Sequence, residues 1–172
     1  EEKFDLIVIA LSLSGIDFIG KEFKNLKIKN QILILTKGLK YDKKNNKICT
    51  ISEELRKNYN INNISILKGP CLAKELVRKK HTSVIIANKN INLAKKIGKM
   101  ISTKYYSIEF SKDIIGIEVC SAIKNIYSMI IGAGQSLNAS SNLFQKSVLE
   151  MKFLTKYFKG KEETTLSLAG VG

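Results

Sequence analysis

The stretch ISILKGPCLAKE, residues 64–75, decides the fold. Ile64 to Leu67 is a short apolar run of the kind that forms a buried strand. Gly69-Pro70 ends it, and a helix starts near Leu72, with proline tolerated at a helix start because its missing N–H has no intrahelical partner there. A strand that passes through a tight turn into a helix is the first half of a βαβ unit. The same pattern recurs on both sides. Phe4–Ala10 (FDLIVIA) and Ile32–Thr36 (ILILT) lie upstream, and Ser83–Ala87 (SVIIA) and Tyr105–Phe110 lie downstream. Between them, helical patterns fall near Ile16–Phe23, at Ile51–Asn58 with Ser52 as a candidate cap, and at Ile91–Ser102. Strands alternating with helices predict an α/β fold with a parallel sheet.

After Phe110 the pattern changes. A long helix is predicted from Asp113 to about Gly132, then a loop around Gly134–Ser141, then a helix from about Leu143 to Phe158, with no further strand. A domain boundary is therefore expected near Asp113. Residues 1–112 form an α/β domain and residues 113–172 the start of an all-helical one. Leu166–Gly172 (LSLAGVG), taken without context, is a flexible tail of small residues.

Composition narrows the function classes. The 172 residues are 44% hydrophobic, enough for a packed core. The most apolar stretch, Ile114–Ala133, is interrupted by Glu118, Lys124 and Asn125, and no run is expected to cross a bilayer. The three cysteines, Cys49, Cys71 and Cys120, are odd in number and not at metal-ligand spacing, which fits a reduced, cytoplasmic compartment. His81 is the single histidine, so neither a histidine metal site nor a Ser-His-Asp triad is expected. The formal charge of +14 invites a nucleic-acid partner. Against that, only Arg56 and Arg78 supply the planar fork that reads bases, and the lysines are dispersed without interleaved aromatics. No nucleic-acid or membrane partner is expected; the charge would instead draw in an anionic substrate.

The helix from Asp113 carries the chemistry. One side presents Ile115, Val119, Ala122, Ile126 and Met129; the other presents Ile117, Cys120, Ser121, Tyr127, Ser128 and Ile131. A helix apolar on both sides is predicted to be buried. Lys124 sits in its middle, followed by Asn125, with Glu118 earlier on the face of Asn125. Burial favours a neutral amine, which can exchange protons or, as a cation, polarise a carbonyl. The alternative is that Lys124 snorkels to the surface or pairs with a carboxylate. Two loops are further candidates. Thr36-Lys37-Gly38-Leu39 follows a buried strand, where ligands collect in open α/β sheets. Gly69-Pro70-Cys71-Leu72-Ala73-Lys74-Glu75 allows close backbone approach at Gly69 and offers a thiol at a helix start. Each is also readable as an ordinary surface turn.

Together, four segments resemble the bacterial NAD(P)-dependent glycerol-3-phosphate dehydrogenase family. They are Thr36-Lys37-Gly38-Leu39; the Gly69–Glu75 junction; Glu118 with Ala122, Lys124 and Asn125; and Ala169-Gly170-Val171-Gly172. The order and spacing resemble the family's along essentially the whole chain. The resemblance implies a partial Rossmann-like domain followed by the start of a helical substrate domain. It implies interconversion of dihydroxyacetone phosphate and glycerol 3-phosphate with NAD or NADP, feeding glycerophospholipid synthesis, with a homodimer as a further option. By the same resemblance Lys124 is the catalytic lysine. Lys37 lies against substrate and cofactor, Gly69, Cys71 and Asn125 belong to the substrate site, and Ser12 and Ala73 contact the cofactor.

Several positions depart from the family. The Gly-rich cofactor loop is expected ahead of Glu1, and an Asp and a later Arg-Asn pair beyond Gly172. Leu11 replaces a common proline, Cys71 replaces Ser or Thr, and Ser140 in Asn138-Ala139-Ser140 replaces an arginine. These 172 residues are accordingly expected not to turn over substrate alone. A related hydroxyacid dehydrogenase and a non-catalytic basic binding protein or decayed paralogue are the competing readings.

Overall fold

In the computed structural model, which describes residues 4–43 and 45–172, the chain runs through seven strands and six α-helices. β1 (Leu6–Ile9), α1 (Ile16–Asn25) and β2 (Gln31–Ile34) come first, then β3 (Leu39–Asp42), β4 (Lys47–Thr50) and α2 (Ile51–Tyr59). β5 (Ile64–Lys68), α3 (Ala73–Val77), β6 (Thr82–Ala87), α4 (Ile91–Ile101) and β7 (Tyr106–Ser111) complete the sheet region. α5 (Ile114–Gly132), α6 (Leu137–Tyr157) and a 3₁₀ turn (Glu162–Leu166) follow.

The main sheet has the order β1-β2-β5-β6-β7. β1, β2 and β5 are parallel, as their continuous apolar runs predict, and so are β6 and β7. Ile32 and Ile34 of β2 face one helical layer with Ile16, Ile51, Leu55 and Ile117; Leu33 faces the other with Ile86, Ala94 and Ile97. The period-2 alternation of a strand thus supplies both cores.

The β5–β6 pair corrects the expectation of a wholly parallel sheet, because it is antiparallel. α3 has only five residues, about 7 Å of helix. It cannot carry the chain back along β5, so β6 starts from the edge where β5 ends. α4, with 11 residues, spans the strands it joins, and β6 and β7 stay parallel. A consequence follows for α5. Since β7 runs against β5, α5 enters at the amino edge of β5. The eleven residues from Asp113 then carry Lys124 about 16 Å, to the opposite edge.

Other departures have local causes. The β3–β4 hairpin fell in a lysine- and asparagine-rich stretch, where Asp42 accepts bonds from the backbone and side chain of Asn45. That local turn chemistry outweighs the low strand propensity of the surrounding residues. Thr50, not Ser52, caps α2, closing a capping box with Glu53. α6 begins at Leu137 rather than Leu143, because the Ser136 hydroxyl accepts from Ala139 N and starts the helix before the polar residues that read as loop. Leu166–Gly172 is packed: Ala169 and Gly170 are buried, and a Cβ at Gly170 would lie 1.9 Å from the Thr165 carbonyl oxygen.

α5 also corrects the bilayer expectation, since its 19 residues are long and apolar enough to cross a membrane by length and composition. Its first half packs against the sheet, with Ile114, Gly116 to Ser121 all buried. The second half is not buried throughout as predicted; Asn125, Ile126, Met129 and Ile130 are exposed.

Candidate active site

The carboxyl ends of β1, β2 and β5 converge at one rim of the sheet, and the candidate residues are sorted around it. The loop after β1 holds Ser12, exposed, with its hydroxyl 2.8 Å from that of Ser14. The loop after β2 is tied to it. Leu35 N donates to Ile9 O at 2.9 Å, and the buried Thr36 hydroxyl donates to Leu11 O at 2.8 Å. Gly38 has φ +134, and a Cβ there would come 3.0 Å from Leu13, so the loop turns against the Ser12 segment where only glycine is unstrained. Between Thr36 and Gly38, Lys37 is exposed.

Lys68, the last residue of β5, belongs to this rim, and the sequence reading passed over it. It is buried, and its Nζ donates to Leu35 O at 3.0 Å and Thr36 O at 2.5 Å. Burial pushes its pKa down to about 8; the negative charge of Glu118 works against that fall, and the positive charge of Lys37 adds to it. The available signal was a charged residue at the end of an otherwise apolar strand.

Lys124 arrives at the same rim on α5. It is half-buried rather than enclosed, and Nζ donates to Gly172 O at 2.6 Å. Burial lowers its pKa, and the charge of Lys37 lowers it further. Lys37 is therefore electrically coupled to both Lys68 and Lys124. Beside Lys124 lies a cavity of about 220 Å³, lined also by Tyr127, Ser147, Met151, Val171 and Gly172.

Glu118 has a different position from that suggested by its helix face. It is fully buried and turned to α2, accepting from Ser52 N at 3.0 Å and from the Ser52 hydroxyl. Burial raises its pKa, while the two Ser52 bonds and the charge of Lys68 oppose the rise. Its role is to join α5 to the α2 terminus.

Gly69 has φ +137, and a Cβ there would come 3.0 Å from Val84 Cα, so glycine is required by packing against β6. Cys71 and Ala73 are exposed at the start of α3, on the side of the sheet's β7 edge, where Tyr106 lies near Cys71. Asn125 is exposed one residue past Lys124. Ser140, at the position of the family's arginine, donates to Ile131 O at 3.1 Å and secures the α5–α6 turn.

Residues 2–94 match the N-terminus of NAD-dependent glycerol-3-phosphate dehydrogenase, and residues 113–172 match its C-terminus. The chain belongs to the NAD-dependent glycerol-3-phosphate dehydrogenase family. The glycerol-3-phosphate dehydrogenase (NAD(P)+) of Clostridium botulinum is 30% identical over 177 residues, which cover 99% of this chain and 52% of that protein. Its counterpart from Rickettsia typhi is 33% identical over 98% of this chain and 53% of its own length. The chain thus spans about half the length of the curated relatives it matches. The crystal structure of glycerol-3-phosphate dehydrogenase from Coxiella burnetii superposes with a TM-score of 0.83 at 26% identity, covering 98% of this chain and 52% of that one. The Plasmodium falciparum glycerol-3-phosphate dehydrogenase shares the fold, with a TM-score of 0.86 at 22% identity, over 96% of this chain and 48% of its own.

Proposed function

We propose that the protein carrying these residues interconverts dihydroxyacetone phosphate and sn-glycerol 3-phosphate with NAD or NADP, and that Lys124 is its catalytic acid–base group. The single observation that carries this reading is the position of Lys124: half-buried, lowered in pKa by burial and by Lys37, at the carboxyl edge of the parallel strands β1, β2 and β5. An amine held in that state gives and takes a proton more readily than a solvated lysine.

The rim fits an anionic dinucleotide and a phosphorylated substrate. Lys37, Lys68 and Lys124 concentrate positive charge there, and Ser12 and Lys37 present exposed polar groups on adjacent loops. Ser12, Lys37 and Ala73 would hold the nicotinamide cofactor, whose chemistry when bound is the transfer of hydride. Lys124 protonates the oxygen on the central carbon of dihydroxyacetone phosphate in reduction and receives that proton in the reverse direction. As a cation before transfer, it polarises the same carbonyl. Lys37 holds the substrate by point charge, and Gly69, Cys71 and Asn125 complete its surroundings. Cys71 is a weaker hydrogen-bond donor than a hydroxyl would be.

The family matches part between residues 94 and 113, which supports a division near Asp113 into a nucleotide-binding part, 1–112, and the start of a substrate part, 113–172. The free thiols Cys49, Cys71 and Cys120 support a reducing, cytoplasmic setting, and a homodimer is the option that the family resemblance gives. We assign the dispersed lysines to solvated faces rather than to nucleic acid or a membrane, and the activity to glycerophospholipid synthesis.

The test is Lys124→Ala in the full-length protein. Turnover is expected to fall by about 10²- to 10⁴-fold, with affinity for NAD(P)H unchanged in a fluorescence titration. Turnover within about twofold of wild type would overturn the assignment and favour a non-catalytic relative.

A further inference from the structure

We propose that Lys68 is a positioning residue, whose buried ammonium grips the carbonyls of Leu35 and Thr36 and so fixes the loop that presents Lys37. The inference deepens the enzyme reading above and rests on it for the role of Lys37. β2 ends at Ile34, and the next two residues are held from both sides. From the β1 side, Leu35 N binds Ile9 O and the Thr36 hydroxyl binds Leu11 O. From the β5 side, Lys68 Nζ binds both carbonyl oxygens, at 3.0 and 2.5 Å. Lys37 follows directly, and Gly38 turns the chain against Leu13.

A buried lysine is an expensive way to fill space, and an apolar side chain of the same length would pack there without the desolvation cost. It would also leave two carbonyls without this donor, that of Thr36 in a buried place and that of Leu35 in a partly buried one. Lys68 is only 5% exposed, and its charge is offset by Glu118 on α5 while Lys37 opposes it. The groups that face it are thus one carboxylate from α5, one ammonium from the loop after β2, and the two carbonyls it binds. The arrangement is specific to the loop: the lysine spans from the end of one strand to the residues just past the end of its neighbour.

The experiment compares wild type, Lys68→Met, Lys68→Arg and the double variant Lys68→Met/Glu118→Gln in the full-length protein. Two readouts are taken: amide hydrogen exchange over residues 35–38, and KM against kcat for dihydroxyacetone phosphate. In Lys68→Met, exchange over 35–38 is expected to speed up at least about tenfold, with exchange in α4 unchanged. KM is expected to rise at least about fivefold, by more than kcat falls. Lys68→Arg, which keeps a cationic donor, is expected to recover part of both. Should Lys68→Met fail to fold because Glu118 is left uncompensated, the double variant removes that charge and must show the same loosened loop. Unchanged exchange over 35–38 overturns the proposal, and so does faster exchange with an unaltered KM. If wild type shows no turnover at all, the enzyme reading fails, and the exchange readout alone decides whether Lys68 holds the loop.

Discussion

The two halves of α5 are alike in sequence and different in place. Both are largely apolar on every side, and each contains one residue that is charged at neutral pH in water, Glu118 in the first half and Lys124 in the second. The first half is buried and Glu118 with it, satisfied by Ser52 and offset by Lys68. The second half emerges past the sheet edge, where Met129 is 73% exposed and Lys124 is half-buried. The difference teaches what burial does to a charge. Enclosed and bonded, the carboxylate becomes a structural tie between α5 and α2. At the boundary, the amine stays reachable and is shifted towards proton exchange.

That contrast can be broken most forcefully at Glu118. Glu118→Ala leaves the buried Ser52 N–H without its acceptor and Lys68 uncompensated, and should destabilise the fold by about 4 kcal/mol in urea unfolding. A loss below about 1 kcal/mol would remove the tie from the account. Ile117→Ala, at 0% exposure in the same half, is expected to cost about 3 kcal/mol. Lys68 sharpens the comparison from the sheet side. Its pKa of about 8 when folded lies below the ordinary lysine value of 10.5, so between those limits the unfolded chain binds the extra proton. Stability should therefore rise with pH from about 8 to 10.5, by on the order of 3 kcal/mol, and that gain should be lost again as pH falls from 10.5 to about 8. The rise should vanish in Lys68→Met; a flat difference between the two proteins would contradict the shift. In the emergent half, Met129→Ala in the 172-residue chain is expected to stay within about 0.5 kcal/mol of wild type, a small value that only matters beside Ile117.

Much of this arrangement was legible in the sequence. The apolar runs located β1, β2, β5 and β6, and in β2, β5 and β6 that unbroken signal reflects burial on both faces; β7, an edge strand with no fully buried residue, carries a weaker one. Lys124 stood out because a charge in an apolar helix is rare, and Lys37 because it follows a buried strand. What escaped depended on lengths and partners. The antiparallel turn at β6 follows from the shortness of α3, which no periodicity reports. The β3–β4 hairpin depends on an Asp42–Asn45 turn rather than on apolar residues. The halves of α5 could not be separated, since composition records that a residue is apolar and not whether the sheet reaches it. Lys68 was hidden for the same reason: its partners are carbonyls 32 and 33 residues away, which carry no side-chain signature.

The central claim is that Lys124 is tuned by its partial burial and by the charge of Lys37. It is tested most directly by NMR titration of the Lys124 amine in the full-length protein, with its signal assigned by Lys124→Arg. The account predicts a midpoint below the ordinary 10.5 that moves upward in Lys37→Met, when the like charge is removed. A midpoint at 10.5 or above, unmoved by loss of Lys37, would contradict it.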